Sequence, residues 1–220
     1  MRNKFDMQLD SLKEQLTTMG ELCEVAITKA TEAILEGKEE QAREVIQADE
    51  EIDQAEKDIE RLCLRLLLQQ QPVAKDLRQI SAALKMITDM ERIGDQAADV
   101  AELTRYVEDT VAQGRLHITK MAKAAVMMVS ESVEAFVQGD LDLAHKVVAE
   151  DDTVDNLFIQ VIGELLQKLK EETGDPEAIL DLMMIAKYFE RIGDHAVNLA
   201  EWVEYSITGQ HKSDEHHQDL

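Results

Sequence analysis

Four pairs of carboxylates in this 220-residue chain stand four positions apart: Asp49 with Asp53, Glu91 with Asp95, Asp151 with Asp155, and Glu190 with Asp194. Residues at that spacing stack on one face of a helix, and two like charges there cost an isolated helix about 0.2–0.5 kcal/mol. A cation held between them removes that cost. If the helix carrying Asp49 and Asp53 packs antiparallel to the one carrying Glu91 and Asp95, four carboxylates converge. The same holds for Asp151 and Asp155 with Glu190 and Asp194. An all-oxygen site of this kind suits magnesium, calcium, manganese or iron better than a thiophilic metal. The competing reading makes each pair a solvated face of an acidic helix, and any single pair would satisfy it.

The surroundings of two pairs bear on the choice. Glu-Arg-Ile-Gly-Asp occurs twice, at 91–95 and at 190–194. Gly94, Ala97, Ala98 and Ala101 flank the first copy; Gly193, Ala196, Val197 and Ala200 flank the second. Glycine inside a helix costs about 1 kcal/mol relative to alanine and generally has a packing reason. Small residues here predict that a neighbouring helix comes close enough to bring the acids against its own. The stripes continue through Asp99 and Glu102 in one copy and through Asn198 and Glu201 in the other.

Other chemistry is poorly represented. No glycine-rich phosphate loop and no nucleophile motif is present, so the reading is not an enzyme. Ferritin-like di-iron bundles use paired Glu-x-x-His motifs, whereas the nearest approach to one is Asp142-x-x-His145, with aspartate in place of glutamate. His195 has Gln96 as its counterpart and reads as a packing or hydrogen-bonding residue. Arg92 and Arg191 read as surface ion-pair partners. The tail histidines, His211, His216 and His217, could scavenge metal or simply be solvated. Ten methionines, including the pairs Met127-Met128 and Met183-Met184, read as gap-fillers in a core.

A net charge of −23 weighs against nucleic acid as a partner, because a phosphate backbone would be repelled. It favours cations or basic protein patches, and it also serves solubility alone. Cys23 and Cys63 are too few for a disulfide framework and read as reduced thiols, Cys63 within the apolar run "RLCLRLLL". The first residues hold no signal-like apolar run, and Arg65 interrupts the longest apolar stretch. The expectation is a cytoplasmic protein, at most peripheral to a membrane.

The elements that position the acids are helices. Two prolines, nine glycines and long runs of Ala, Leu, Glu, Gln, Lys and Met predict an all-α fold. Gly37, Pro72, Gly114, Gly139 and the Gly174-Asp175-Pro176 sequence divide the chain into six long segments. The third is expected to reach about Gln113, with Gly114 marking the midpoint. Apolar stripes at helical spacing run through Ile52, Ile59, Leu62 and Leu66, through Ile80, Leu84, Ile87 and Gly94, and through Leu182, Ile185, Phe189, Gly193, Ala196 and Ala200. "AILEGKEEQAREVIQADEEID" aligns with "AFVQGDLDLAHKVVAEDDTVD" at an offset of 102, while the Glu-Arg-Ile-Gly-Asp copies align at 99. The unit is therefore written twice. The prediction is two tandem three-helix bundles in pseudo-twofold relation: a first repeat over 1–113, a second over 114–208, and a polar tail at 209–220. The second repeat's connection between its second and third helices is expected to be three residues shorter.

"QQPVAKDLRQISAALKMITDMERIGDQAADVAE" and "DPEAILDLMMIAKYFERIGDHAVNLAEW" resemble the PhoU family of phosphate-specific transport system accessory proteins. The resemblance spans the chain from Phe5 to about Ile207. It implies a cytosolic, commonly dimeric regulator of phosphate uptake and phosphate-starvation signalling. Its implied partners are the ATPase subunit of a phosphate ABC transporter and a phosphate-sensing histidine kinase, and membrane association would come only through partners. It also implies metal, iron or else magnesium, manganese, zinc or calcium, and in some members a multinuclear cluster. The implied ligands are Asp49, Asp53, Glu91, Asp95, Asp151, Asp155, Glu190 and Asp194. The two sets are expected to differ: Asn198 stands opposite Asp99, and Glu56 and Glu60 become Phe158 and Ile162. A metal-buffering or storage bundle and a purely structural scaffold are the alternatives.

Overall fold

The computed structural model describes residues 2–36, 39–70, 72–103, 112–173 and 175–210. Among these, six helices and no strand are found: α1 (Arg2–Glu36), α2 (Glu39–Gln70), α3 (Ala74–Leu103), α4 (Ala112–Gln138), α5 (Leu141–Lys170) and α6 (Pro176–Thr208). They run from 27 to 35 residues, roughly 40–53 Å at 1.5 Å per residue.

Local chemistry sets several ends. Gly139 adopts the left-handed φ of +69° that closes α4. Asp140 follows as the N-cap of α5, its carboxylate accepting from the Leu143 amide at 3.0 Å. Asp175 caps α6 in the same way and Pro176 begins it; Gly209, at φ +79°, ends it by donating to the Tyr205 carbonyl at 2.8 Å. Each of these cues is legible in the sequence. Gly37, Gly174 and the three tail histidines lie outside what is described here.

Two expectations need correction. The helix α3 is described only to Leu103, and α4 already begins at Ala112, so Gly114 sits in the first turn of α4 and does not end α3. The three-residue deletion between the second and third helices of the second repeat does not shorten the connection either. Residues 71–73 link α2 to α3 and residues 171–175 link α5 to α6, so the helix ends absorb the loss. The Asp175-Pro176 pair explains this, since it starts α6 three positions later than α3 starts in the equivalent numbering.

The helices α1, α2 and α3 pack together, as do α4, α5 and α6. The two bundles then join through α3 against α6 and α1 against α4. One apolar core runs through both. All three predicted stripes face it: Ile52, Ile59, Leu66, Ile80, Leu182, Ile185 and Phe189 are fully buried. Burying a side chain of this size contributes about 1.5–3 kcal/mol. The methionine pairs split, because adjacent helical residues point 100° apart: Met128 is buried, but Met127 and Met184 are exposed. Polar ties add to this: within the second bundle Ser132 Oγ of α4 donates to the Ala196 carbonyl of α6 at 3.1 Å, and between the bundles Lys13 Nζ of α1 donates to the Val137 carbonyl of α4 at 3.0 Å. The latter satisfies a carbonyl in the last turn of α4.

Candidate metal centre

Asp49 and Asp53 project from α2, and Glu91 and Asp95 from α3, which packs against it. At Gly94 the side chains of α2 press close against α3: a Cβ at that position would lie 2.8 Å from Asp49 Oδ1 and 3.0 Å from Ile52 Cδ1. Glycine is what lets the Asp49 carboxylate reach α3. In the second repeat a Cβ on Gly193 would lie 3.4 Å from Asp151 Oδ1 and 3.3 Å from Val154 Cγ1. Both glycines thus have the packing role their sequence context predicts, against the expected carboxylates.

Charge shows which acids share a space. Burial, and then the charges of Asp95, Asp53, Asp99 and Glu50, push the Asp49 carboxyl up to about 6. Glu91 is raised by burial and by Asp95, with Arg92 opposing and Glu56 and Asp53 adding to the rise. These charges act across α2 and α3, coupling Asp49 and Glu91 to Asp53 and Asp95, and to Asp99 and Glu56 respectively. In the second repeat, burial followed by Asp155, Asp194, Asp152 and Glu190 pushes Asp151 up to about 6. Asp194 is raised by burial and Glu190, against the lowering effect of Lys187 and His195.

The acids are gathered, but they are not arranged as a finished coordination sphere. Arg92 Nη1 holds Asp95 Oδ2 at 3.2 Å and its Nε lies 3.5 Å from Glu91 Oε2. Lys57 Nζ lies 3.3 Å from Asp53 Oδ2, and Lys187 pairs with Glu190. Among the described residues no three His, Cys, Asp or Glu side chains are grouped closely enough to hold one ion. One feature fits a cation nevertheless. Asp49 Oδ1 is buried without a hydrogen-bond partner, an arrangement that typically costs about 1–3 kcal/mol and more for a charged group.

The PhoU domain matches residues 16–104 and again residues 118–203. The chain belongs to the PhoU family. It is 35% identical over 215 residues to a phosphate-specific transport system accessory protein PhoU homolog of Clostridium acetobutylicum, covering 95% of this chain and 96% of that one. A homolog of the same description from Aquifex aeolicus is 39% identical over 189 residues, covering 86% of each. The crystal structure of PhoU from Pseudomonas aeruginosa matches with a TM-score of 0.87 at 34% identity, over 94% of this chain and 100% of that one. The regulatory protein PhoU from Streptococcus pneumoniae matches with the same TM-score at 25% identity, over 94% and 98%.

The remaining candidate residues of this PhoU-family chain find other partners. His145 Nε2 faces Glu204 Oε1 at 3.6 Å. His195 is a hydrogen-bonding residue, its Nδ1 2.9 Å from Asp89 Oδ1. Arg92 is a surface ion-pair partner, while the charge of Arg191 acts on Asp99. Cys23 and Cys63 are free and buried; burial pushes the Cys63 thiol up to about 12 and raises Cys23 as well.

Sequence reasoning missed Asp89 and Tyr188, which occupy equivalent positions in the two repeats. Asp89 Oδ1 accepts from Asn198 Nδ2 at 3.0 Å across the junction of α3 and α6. The Tyr188 phenol and the Asp99 carboxylate act on each other across the same junction, the phenol opposing the rise that burial causes in Asp99. The detectable signal was the mismatch of an acid with a phenol when the repeats are aligned at an offset of 99.

Proposed function

We propose that this chain regulates phosphate uptake and phosphate-starvation signalling. It acts as a homodimer that binds the ATPase subunit of a phosphate ABC transporter and a phosphate-sensing histidine kinase. The supporting observation is similarity over nearly the whole chain to proteins named phosphate-specific transport system accessory proteins. The net charge of −23 suits basic patches on partners. Among the described residues no helix is long and apolar enough to cross a membrane, so membrane contact in this reading comes through the transporter.

The first-repeat carboxylates take a multivalent cation: magnesium, manganese, calcium, zinc or iron, alone or as a cluster. The orphaned Asp49 Oδ1 above Gly94 supports this. Asp49, Asp53, Glu91 and Asp95 would hold the cation, and its charge would offset their mutual repulsion. Loading requires Asp53 to leave Lys57, and Glu91 and Asp95 to leave Arg92. The cation then ties α2 to α3 and stiffens the surface offered to partners.

The test is capture of purified transporter ATPase and sensor kinase by the tagged chain, beside phosphate uptake in a deletion strain. Capture of at least one of the two and altered uptake are expected. Capture of neither overturns the partner reading. Normal uptake with altered metal tolerance would favour a metal-storage bundle instead.

A further inference from the structure

Beside the carboxylates the two repeats differ at one facing pair of positions. In the first repeat these are Glu56 of α2 and Thr88 of α3, and the Thr88 hydroxyl opposes the rise that burial causes in the Glu56 carboxyl. In the second they are Phe158 of α5 and Lys187 of α6. The Lys187 ammonium lies 5.6 Å from the centre of the Phe158 ring and pairs with Glu190. Its charge also acts on Asp194. An anion and a hydroxyl in one repeat are thus exchanged for an aromatic face and an ammonium in the other.

The first site's own lysine is placed differently. Lys57 pairs with Asp53 of its own helix, and the two side chains are 53% and 44% exposed. Glu190, which Lys187 holds, is only 14% exposed. The Lys187 side chain is itself 46% exposed, but its ammonium lies between a ring on one side and a sheltered carboxylate on the other. Arg92 contacts Glu91 and Asp95 from a side chain that is 55% exposed, whereas the charge of its counterpart Arg191 acts on Asp99 of the other repeat. Buried acceptors also differ: among the described residues Asp49 Oδ1 lacks a partner, whereas no oxygen of Asp151 is left in that condition.

We propose that Lys187 is the resident cation of the second carboxylate site, leaving multivalent cations to the first repeat. The inference rests on the cation reading of the first repeat given above. An ammonium on a short tether is present at high effective concentration, as a linked module is. It repels an incoming divalent ion and already engages a carboxylate that the ion needs. The ring of Phe158 steadies the ammonium through its π face and supplies no oxygen donor.

The experiment is Mn²⁺ binding to chelator-stripped, untagged chain, followed by calorimetry and by electron paramagnetic resonance. The parent is expected to show one strong class of sites, and Asp49→Asn with Asp95→Asn removes it. Lys187→Thr is expected to raise Mn²⁺ affinity at the second repeat at least tenfold and add a second strong class. Lys187→Gln should do the same and Lys187→Arg should not. Thermal melts confirm that each variant is folded; the Lys187 side chain is 46% exposed, so folding is not at stake. If the parent binds Mn²⁺ strongly but neither Lys187→Thr nor Lys187→Gln adds a site, the inference is overturned and the first-repeat reading stands. Two equal strong classes in the parent also overturn it. If no variant binds Mn²⁺, both fall.

Discussion

Alanine in place of Gly94 puts a methyl group on α3 where side chains of α2 press close. Its carbon would lie 2.8 Å from Asp49 Oδ1, 3.0 Å from Ile52 Cδ1 and 3.3 Å from Ile52 Cγ2. The carboxylate can rotate toward solvent, but Ile52 is fully buried and cannot move without disturbing the core. Overpacking of this kind costs about 1–3 kcal/mol. The better helix propensity of alanine offsets about 1 kcal/mol of that. The net expectation for Gly94→Ala is a loss of about 1 kcal/mol, a fall in Tm of roughly 2–4 °C for a chain of this size. Gly193→Ala serves as the internal comparison. Its nearest atoms stand at 3.3 and 3.4 Å, so a small adjustment roughly cancels against propensity. Far-UV circular dichroism melts and urea midpoints, run with chelator present, measure both variants. Adding Asp49→Ala to Gly94→Ala should recover little stability, since Ile52 still blocks the methyl group. A Gly94→Ala chain as stable as the parent, or more stable than Gly193→Ala, would refute the close-approach argument.

Three further outcomes follow from the same geometry. Asp49 and Asp151 are each raised from 3.8 to about 6, so between those values the folded chain binds more protons than the unfolded one. Metal-free stability should therefore fall as pH rises through about 4–6, by on the order of 1 kcal/mol per group after discounting for solvent screening. Asp49→Asn should flatten the curve, and a metal-free chain whose stability rises with pH across that window would contradict the couplings described. Asn198→Asp would set a carboxylate against Asp89, so the melt at neutral pH should drop by the equivalent of about 1 kcal/mol; an unchanged melt would mean the amide contact carries no weight. Cys23 and Cys63 are buried and should resist alkylation by iodoacetamide until the chain is unfolded, with modification of the native chain within minutes as the contrary result.

What the sequence made legible was what lies along each helix. Apolar residues at helical spacing identified the buried faces, and Gly139, Asp175 and Pro176 marked ends where the backbone or a cap requires those residue types. Gly114 was misjudged as a boundary because a glycine can also sit within the first turn of a helix, as it does in α4. The junction of α3 with α6 was not legible either, since periodicity tells which face of a helix is apolar and not which helix covers it. Asn198 shows the consequence. Read along α6, it is a missing acid beside Glu190 and Asp194. Read across to α3, it is a donor placed beside an acid: its amide and the His195 ring both meet Asp89. At the pseudo-equivalent point the polarity is reversed, with the Tyr188 phenol favouring the charged Asp99 carboxylate. A carboxylate at 198 would face Asp89 and leave two acids with one imidazole between them, whereas a carboxylate at 99 faces a phenol. The two repeats differ at this position because each supplies what the other lacks at their shared boundary, and the loss of an acid from the second carboxylate stripe follows from that pairing.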